Sequence, residues 1–463
     1  MKDLTQGSAT KHIITFSVPL LLGLILQQLY GIVDSIIVGR YLGGQALAAV
    51  ASAGSVMHFL IAVTVGFTSG GSVLISQLFG AKQEKMLERA VSTIVCTVLS
   101  VCLVISALSV IAMPLFMRAL GVPYDIFDNA VLYMRIIMGG MFFTVTYNLF
   151  AAFLRALGDT KRPLYILMFS TVLNIGLSLF FVLVLGMGVA GVALTTVISQ
   201  AASAVICYAY ILRSVALLRI KKFYFDRLLF RAFIRYSIPA AIQYSMTSFA
   251  NMTIMRLVNS FGSMVVAGYA AALRIDAFAL VTMDSLSIAV STFAAQNIGA
   301  DQEKRARQGA YNGFVMTSIV AIIVSGTILL FRHSFVSIFI DTASPDGAQI
   351  ISIGAQYLSV LAWFYIIYGW FFILNGFFRG VGNPEIVLIL TVISMTMRSV
   401  IAHLLVHYQG FGIEAVAMSI PIGWGLCSAY GVYHFISRKW AGKSAVKKFQ
   451  LPLEDTGDIQ EST

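Results

Sequence analysis

Residues 13–39 read IITFSVPLLLGLILQQLYGIVDSIIVG, and the class of the molecule turns on how that run is taken. It is twice as long as the apolar core of a signal peptide, and no small-residue cleavage pattern follows it. Apolar and polar positions do not alternate, so the run reads as a helix long enough to cross a bilayer, for which about 20 residues suffice. Its one charge is Asp34.

The rest of the chain has the same character. Of 463 residues, 59% are hydrophobic and 11% charged, against about 45–50% and 25% in a soluble domain. Mean hydropathy is +0.87. This composition argues against a soluble enzyme, and in hydrocarbon only helices or closed barrels satisfy the backbone. Cys96, Cys102, Cys207 and Cys427 all fall in apolar runs without CxxC or Cys/His spacing, so they read as packing residues rather than a disulfide frame or a metal cluster.

Apolar runs between charged or Gly/Pro breaks predict spans at 13–39, 45–79, 90–117, 129–154, 163–186, 188–212, 232–260, 263–297, 310–331, 348–377, 384–408 and 411–437. Twelve spans put both termini on one side. With loops assigned alternately, that side carries 24 Lys and Arg and the other carries Arg40, Arg118 and Arg332. Basic loops stay in the cytoplasm, so the net charge of +11 marks topology rather than a nucleic-acid partner. Arg135, Arg256, Arg274 and Arg398 fall within or near spans.

The chain repeats itself. Phe16-Ser17-Val18-Pro19 returns as Tyr236-Ser237-Ile238-Pro239, and Gly80-Ala81-Lys82-Gln83-Glu84-Lys85 as Gly299-Ala300-Asp301-Gln302-Glu303-Lys304. Leu154-Arg155-Ala156-Leu157-Gly158-Asp159 returns as Phe378-Arg379-Gly380-Val381-Gly382-Asn383, and Gly186-Met187-Gly188 as Gly410-Phe411-Gly412. A nearly constant offset of 219 to 224 residues means duplication. Because each half holds an even number of spans, the halves share one orientation, related by an axis along the membrane normal. The expected fold is an all-α membrane protein of twelve transmembrane helices in two six-helix lobes with that pseudo-twofold axis. The domains are an N-terminal lobe (1–212), a basic cytoplasmic linker (213–231), a C-terminal lobe (232–437) and a disordered cytoplasmic tail (438–463).

A carboxylate in the first span costs several kcal/mol unless it is paired, hydrated or protonated, which makes Asp34 a functional candidate. Gln27, Tyr30 and Asp34 are spaced i, i+3, i+7 and share a helix face. Asn174 and Ser178 in the fifth span, Thr196 in the sixth and Asn148 in the fourth extend this polar set toward one pocket. Asn, Ser and Thr in membrane helices also serve simply as interhelical hydrogen-bond partners. In the eighth span Asp276 and Asp284 lie about 12 Å apart along a helix. Either attracts a cationic substrate, or pairs with Arg256, Arg274 or Arg398. Met246, Met252, Met255, Phe278 and Met283 offer an adaptable apolar wall, although such residues fill any membrane helix.

Together these motifs resemble the multidrug and toxic-compound extrusion (MATE) family of secondary transporters. The resemblance rests on Pro19 followed by Val33-Asp34-Ser35, on Gln77-Leu78-Phe79-Gly80-Ala81 and its repeat Gln296-Asn297-Ile298-Gly299-Ala300, on Arg155 to Lys161, and on Gly186-Met187-Gly188-Val189-Ala190-Gly191. It implies multidrug efflux by cation antiport of amphipathic organic cations across the plasma membrane, by a monomer that is not an enzyme and needs no cofactor beyond its coupling ion. By motif position Asp34 inherits the role of coupling residue, with Tyr30, Asn174 and Thr196 around it and Pro19 as the place where the first span bends. Where many members carry a second Asp, this chain has Ser178, which favours H⁺ over Na⁺ because sodium prefers oxygen ligands of high charge. The positions equivalent to this pocket in the second half are Thr253 or Ile254, Arg398 and Ala402, so coupling is expected in the N-terminal lobe alone.

Two other readings compete. A flippase of lipid-linked glycans requires several cations converging in the cavity, and an intramembrane enzyme requires a nucleophile or a metal. His403 and His407 form only a weak i, i+4 pair, and HExxH and GxSxG motifs are missing from the sequence.

Overall fold

The computed structural model describes residues 2–444 and 446, apart from 120, 221, 341–343 and 410. The first half contains α1 (Ala9–Ile37), α2 (Gly43–Gly80), α3 (Glu84–Ala119), α4 (Tyr124–Gly139), α5 (Met141–Ala156), α6 (Lys161–Leu179) and α7 (Gly188–Ser214). The second contains α8 (Arg227–Asn259), α9 (Ser263–Gly299), α10 (Glu303–Ser337), α11 (Gly347–Ala362), α12 (Tyr365–Gly380), α13 (Pro384–Gln409) and α14 (Ile413–Ile436). The runs expected as single spans at 129–154 and 348–377 are each two helices, α4 with α5 bent by 47° and α11 with α12 by 58°. The first bend falls at Gly139-Gly140, where Val197 packs so closely on Gly140 that no Cβ fits. Counting each bent pair once gives twelve helical segments among the described residues, six per half, of which eleven are long and apolar enough to cross a membrane and α8 is less apolar. Ile111, Leu115, Val172 and Leu330 are each at least 71% exposed, an apolar belt suited only to lipid.

Local geometry repeats with the sequence. Gly158 and Gly382 both adopt φ +85°, closing α5 and α12 with the same turn: Gly158 and Gly382 N–H donate to the Arg155 and Arg379 carbonyls, and Asp159 and Asn383 N–H to those of Leu154 and Phe378. Lys82 and Asp301, after α2 and α9, match at φ 55° and 58°. A left-handed residue two positions past a helix end satisfies its last carbonyls. Duplicated motifs therefore produce duplicated turns.

The lobes do not divide where the sequence divides. Leu4, just before α1, and Ala9, Ile13, Phe16 and Leu20, at its start, sit in the hydrophobic core of the second half, while Val33 and Ile37 of the same helix join the core of the first. Leu229, Ala232, Phe233 and Tyr236 of α8 make the reciprocal crossing. Pro19 and Pro239 stand near the crossings; each removes an N–H from its helix and permits bending there. The linker is shorter than expected, since α7 runs to Ser214 and α8 begins at Arg227, capped by Asp226 Oδ1 accepting from Leu228 and Leu229 N–H. The tail expected to be disordered docks at its start. Trp440 is 1% exposed against Phe377 and Phe435, and Ser444 Oγ donates to Gln77 Oε1. Its acidic end (Glu454, Asp455, Asp458, Glu461) and Gly410 lie outside the described residues.

At the face that holds the N-terminal segment, α2 and α9 cross. Gln77 Nε2 donates to the Gly380 carbonyl at 2.9 Å and Gln296 Nε2 to the Ala156 carbonyl at 2.8 Å, each reaching into the other half. Leu4 N–H donates to Gln296 Oε1 at 3.0 Å. A Cβ on Gly80 would strike the Gln296 carbonyl, and one on Gly299 the Gln77 carbonyl. Overpacking of this kind costs about 1–3 kcal/mol, so Gly80→Ala and Gly299→Ala should each lower the melting temperature in detergent. Gly326→Ala, where the added methyl meets nothing within 4 Å, should leave it unchanged or raise it. Indistinguishable melting curves for the three variants would remove the crossing from this role.

Candidate functional site

The first-half candidates meet between α1, α4, α6 and α7. Tyr30 on α1 hydrogen-bonds Thr196 Oγ1 on α7 at 3.1 Å. Ser178 on α6 is fully buried and bonds Thr195 Oγ1 on α7 at 2.8 Å, so its hydroxyl is engaged with a neighbour the sequence did not single out. Asp34 lies one turn beyond Tyr30, half-buried, within electrostatic reach of Tyr30 and of the buried Tyr133 on α4. Three atoms here lack hydrogen-bond partners among the described residues: Asp34 Oδ1, Asn174 Nδ2 and Gln200 Oε1. Buried polar atoms are ordinarily satisfied; of these three, Asp34 Oδ1 and Gln200 Oε1 are acceptors, whereas Asn174 Nδ2 is a donor.

Two sequence candidates fall outside this cluster. Gln27 is exposed on α1. Asn148 turns back on its own helix, donating from Nδ2 to the Thr144 carbonyl at 2.9 Å. Tyr133 and Gln200 were missed. Gln200 was legible as the i+4 neighbour of Thr196, whereas Tyr133 lies on α4, whose approach to α1 no local pattern encodes.

A second polar space, larger than expected, lies inside the second half. A cavity of about 510 Å³ opens between α8, α9, α11, α12, α13 and α14. The expectation that this half lacks a pocket fails: Arg398, the position equivalent to Asn174, lines the cavity, together with residues that have no counterpart in the first-half set. Asp276 and Asp284 project into it from α9, with Arg379 from α12 and Arg398 from α13. Asp276 Oδ1 accepts from Tyr365 Oη at 2.7 Å and interacts electrostatically with Arg398, while Asp284 does so with Arg379. Arg398 Nη1 donates to Asn251 Oδ1 at 3.2 Å. Arg379 donates to Tyr244 Oη at 3.3 Å and Gln243 Oε1 at 3.5 Å.

Several expectations are corrected here. Arg379, one of the 24 basic residues that the sequence assigns to the cytoplasmic loops, lines the cavity. Of the three arginines weighed as partners, Arg256 and Arg274 are exposed, Arg274 over the Phe339 ring, and Arg398 alone reaches Asp276. Met255 lines the cavity as expected, and so does Met252. Met283 does not; it is fully buried in the core, with Thr317 Oγ1 donating to its sulfur. Phe278 points elsewhere and is 36% exposed. The stripe Gln243, Thr247, Asn251 on α8, spaced i, i+4, i+8, was the sequence signal for this cavity. Among the described residues, no group of three or more His, Cys, Asp or Glu could hold a metal.

Relatives place these sites in context. The MatE family model matches residues 19–180 and again residues 239–404, once per half, and begins both times at the helix proline. The chain is 31% identical over 451 residues to the probable multidrug resistance protein YoeA of Bacillus subtilis, covering 94% of this chain and 96% of that protein. It is also 31% identical over 307 residues to the probable multidrug resistance protein YpnP of the same organism, covering 65% and 68%. A crystal structure of MATE in complex with MaL6 shares the fold with a TM-score of 0.89 at 24% identity, over 94% of this chain and 97% of that one. With its duplicated halves, bent spans and paired helix prolines, this is a multi-pass membrane protein, and the chain belongs to the MATE family.

Proposed function

We propose that the chain is a secondary active exporter of amphipathic organic compounds, driven by the inward flow of a cation that binds at Asp34. The observation that carries this reading is the unpartnered Asp34 Oδ1 on α1, with Gln200 Oε1 on α7 a second acceptor unpartnered among the described residues. A carboxylate in a membrane lobe without a guanidinium or ammonium partner is suited to a mobile cation. The names of the relatives, multidrug resistance proteins among them, support the cargo class. The excess of Lys and Arg in the loops on the side expected to hold both termini supports a cytoplasmic location for that side.

Coupling follows from where α1 packs. Its first turns belong to the core of the second half and its later turns to that of the first, so a change at Asp34 acts on a helix shared by both lobes. Protonation converts an acceptor-only carboxylate into a group that also donates. The new donor has Tyr30 within reach and polar acceptors on α7 nearby. The segment beyond Pro19 can then lean into the first half, because the proline already removes one helical hydrogen bond. Release of the proton toward the cytoplasm resets it. A single carboxylate with neutral oxygens suits H⁺, with Na⁺ as the second candidate. The cavity of the second half, where each arginine faces a carboxylate, lacks the uncompensated cation cluster that a pyrophosphate-lipid flippase needs.

Asp34→Asn, an isostere of the protonated acid, is expected to abolish gradient-driven efflux from vesicles while leaving folding and cargo binding intact. Wild-type efflux by this variant would remove Asp34 from the coupling step. Ser178→Asp places a second carboxylate beside Thr195 and is expected to make efflux respond to an imposed Na⁺ gradient. A folded, proton-driven variant with unchanged Na⁺ dependence would argue against charge as the basis of ion choice.

A further inference from the structure

The N-terminal segment, the start of α1 and the turn before α6 enclose a cavity of about 270 Å³. Its lining is cationic. Lys2, Lys161 and Arg162 contribute three charges and His12 a ring, against the single carboxylate of Asp159. That carboxylate is already engaged: Oδ1 accepts from the N–H groups of Lys161 and Arg162 at 3.2 Å each, and Oδ2 from Tyr210 Oη at 3.4 Å, with Arg162 Nε at 3.9 Å. Asp3 does not line the space. Its carboxylate accepts from Thr5 N–H and Oγ1 and interacts electrostatically with Lys82 and His12. Among the described residues no carboxylate pairs with the ammonium of Lys2 or Lys161.

The walls are fixed in place. Lys2 N–H donates to the Leu157 carbonyl at 3.2 Å, the Leu4 carbonyl accepts from Asn297 and Arg305, and a Cβ on Gly158 would strike the Lys2 carbonyl, so the segment is strapped over the turn. Thr160 is 5% exposed, lines the space, and its hydroxyl bonds nothing among the described residues. A buried hydroxyl without a partner is costly. An anion with several acceptor oxygens satisfies that hydroxyl and both ammonium groups together.

Soluble phosphates and lipid headgroups share this chemistry, and the two helices at the cavity favour lipid. Gly23 of α1 packs against Leu164 and Leu167 of α6, so the helices rise side by side. Beyond the cavity Val18 and Leu22 on α1 and Tyr165, Phe169 and Val172 on α6 are each at least 49% exposed, apolar surface suited to acyl chains. A cationic cavity at the foot of such a wall matches a headgroup beneath its chains, and the cytoplasmic leaflet is the one that carries anionic lipid. A headgroup with an ammonium of its own is repelled by the same three charges.

We propose that this cavity binds the headgroup of an anionic glycerophospholipid of the cytoplasmic leaflet, its phosphate on Lys2, Lys161 and Thr160 and its acyl chains along α1 and α6. Lys2 belongs to the segment whose Leu4 packs in the core of the second half, and Lys161 opens a helix of the first, so the headgroup ties the halves together. The site does not rest on the export reading.

The test uses the purified full-length chain in detergent, titrated with phosphatidylglycerol, phosphatidylethanolamine and phosphatidylcholine of identical acyl chains, with bound lipid counted by native mass spectrometry. Wild type should take its first phosphatidylglycerol about tenfold more tightly than either zwitterionic lipid. The double variant Lys2→Gln/Lys161→Gln, at two exposed positions, should lose that preference, whereas Lys2→Arg/Lys161→Arg, which keeps both charges, should retain it. Lys85→Gln/Lys304→Gln removes the same charge from exposed positions outside the cavity and should bind as wild type does. Equal affinity of wild type for the three lipids overturns the proposal. Equal loss in the two glutamine variants does so as well, because it reports diffuse surface charge. Displacement of phosphatidylglycerol by an equal concentration of glycerol 3-phosphate would assign the site to a soluble phosphate and overturn the lipid; retention of the lipid against a hundredfold excess supports it.

Discussion

Two helix backbones come within touching distance only where neither carries a Cβ at the contact, and the two lobes of this protein meet at such a place. At the ends of α2 and α9, Gly80 and Gly299 face each other's preceding helical turn, and the amides of Gln77 and Gln296 reach across to the carbonyl ends of α12 and α5. Each amide satisfies a buried carbonyl at a helix terminus that would otherwise be stranded. The N-terminal segment and the start of the tail then occupy the remaining acceptors, Leu4 on Gln296 and Ser444 on Gln77. Beyond that face, a polar cavity lies within the second half and the unpartnered Asp34 Oδ1 lies in the first.

The exchange of helix ends gives the closed face mechanical meaning. Because α1 begins in one core and finishes in the other, and α8 does the reverse, neither lobe moves without engaging a helix of its partner. Asp34 sits on the exchanged helix, beyond the proline that loosens it. The polar cavity of the second half is lined by the other exchanged helix, α8, through Gln243, Tyr244, Thr247 and Asn251. The two places differ chemically: among the described residues Asp34 has no basic side chain bonded to it, whereas in the second half Asp276 and Asp284 face Arg398 and Arg379.

Much was legible before any coordinates. Length of apolar runs fixes the number of crossings, because the bilayer sets a minimum helix length and hydrocarbon admits no unpaired backbone. The repeats at offsets of 219 to 224 residues imply two like-oriented halves, and their glycines imply the matching turns. Asp34 stands out from sequence alone since a carboxylate in lipid is costly. What only the tertiary structure decided is which side chains share a space. Arg379 reads as a loop cation until α12 is seen to carry it into a cavity, and Met283 reads as a cavity wall until it is found in the core beside Thr317. The pairing of Tyr30 with Thr196, of Ser178 with Thr195 and of Asp276 with Tyr365 joins residues 17 to 166 positions apart. Helical periodicity assigns a residue to a face of its own helix, but the neighbour that face meets is chosen by how twelve helices pack together, and no local pattern records it.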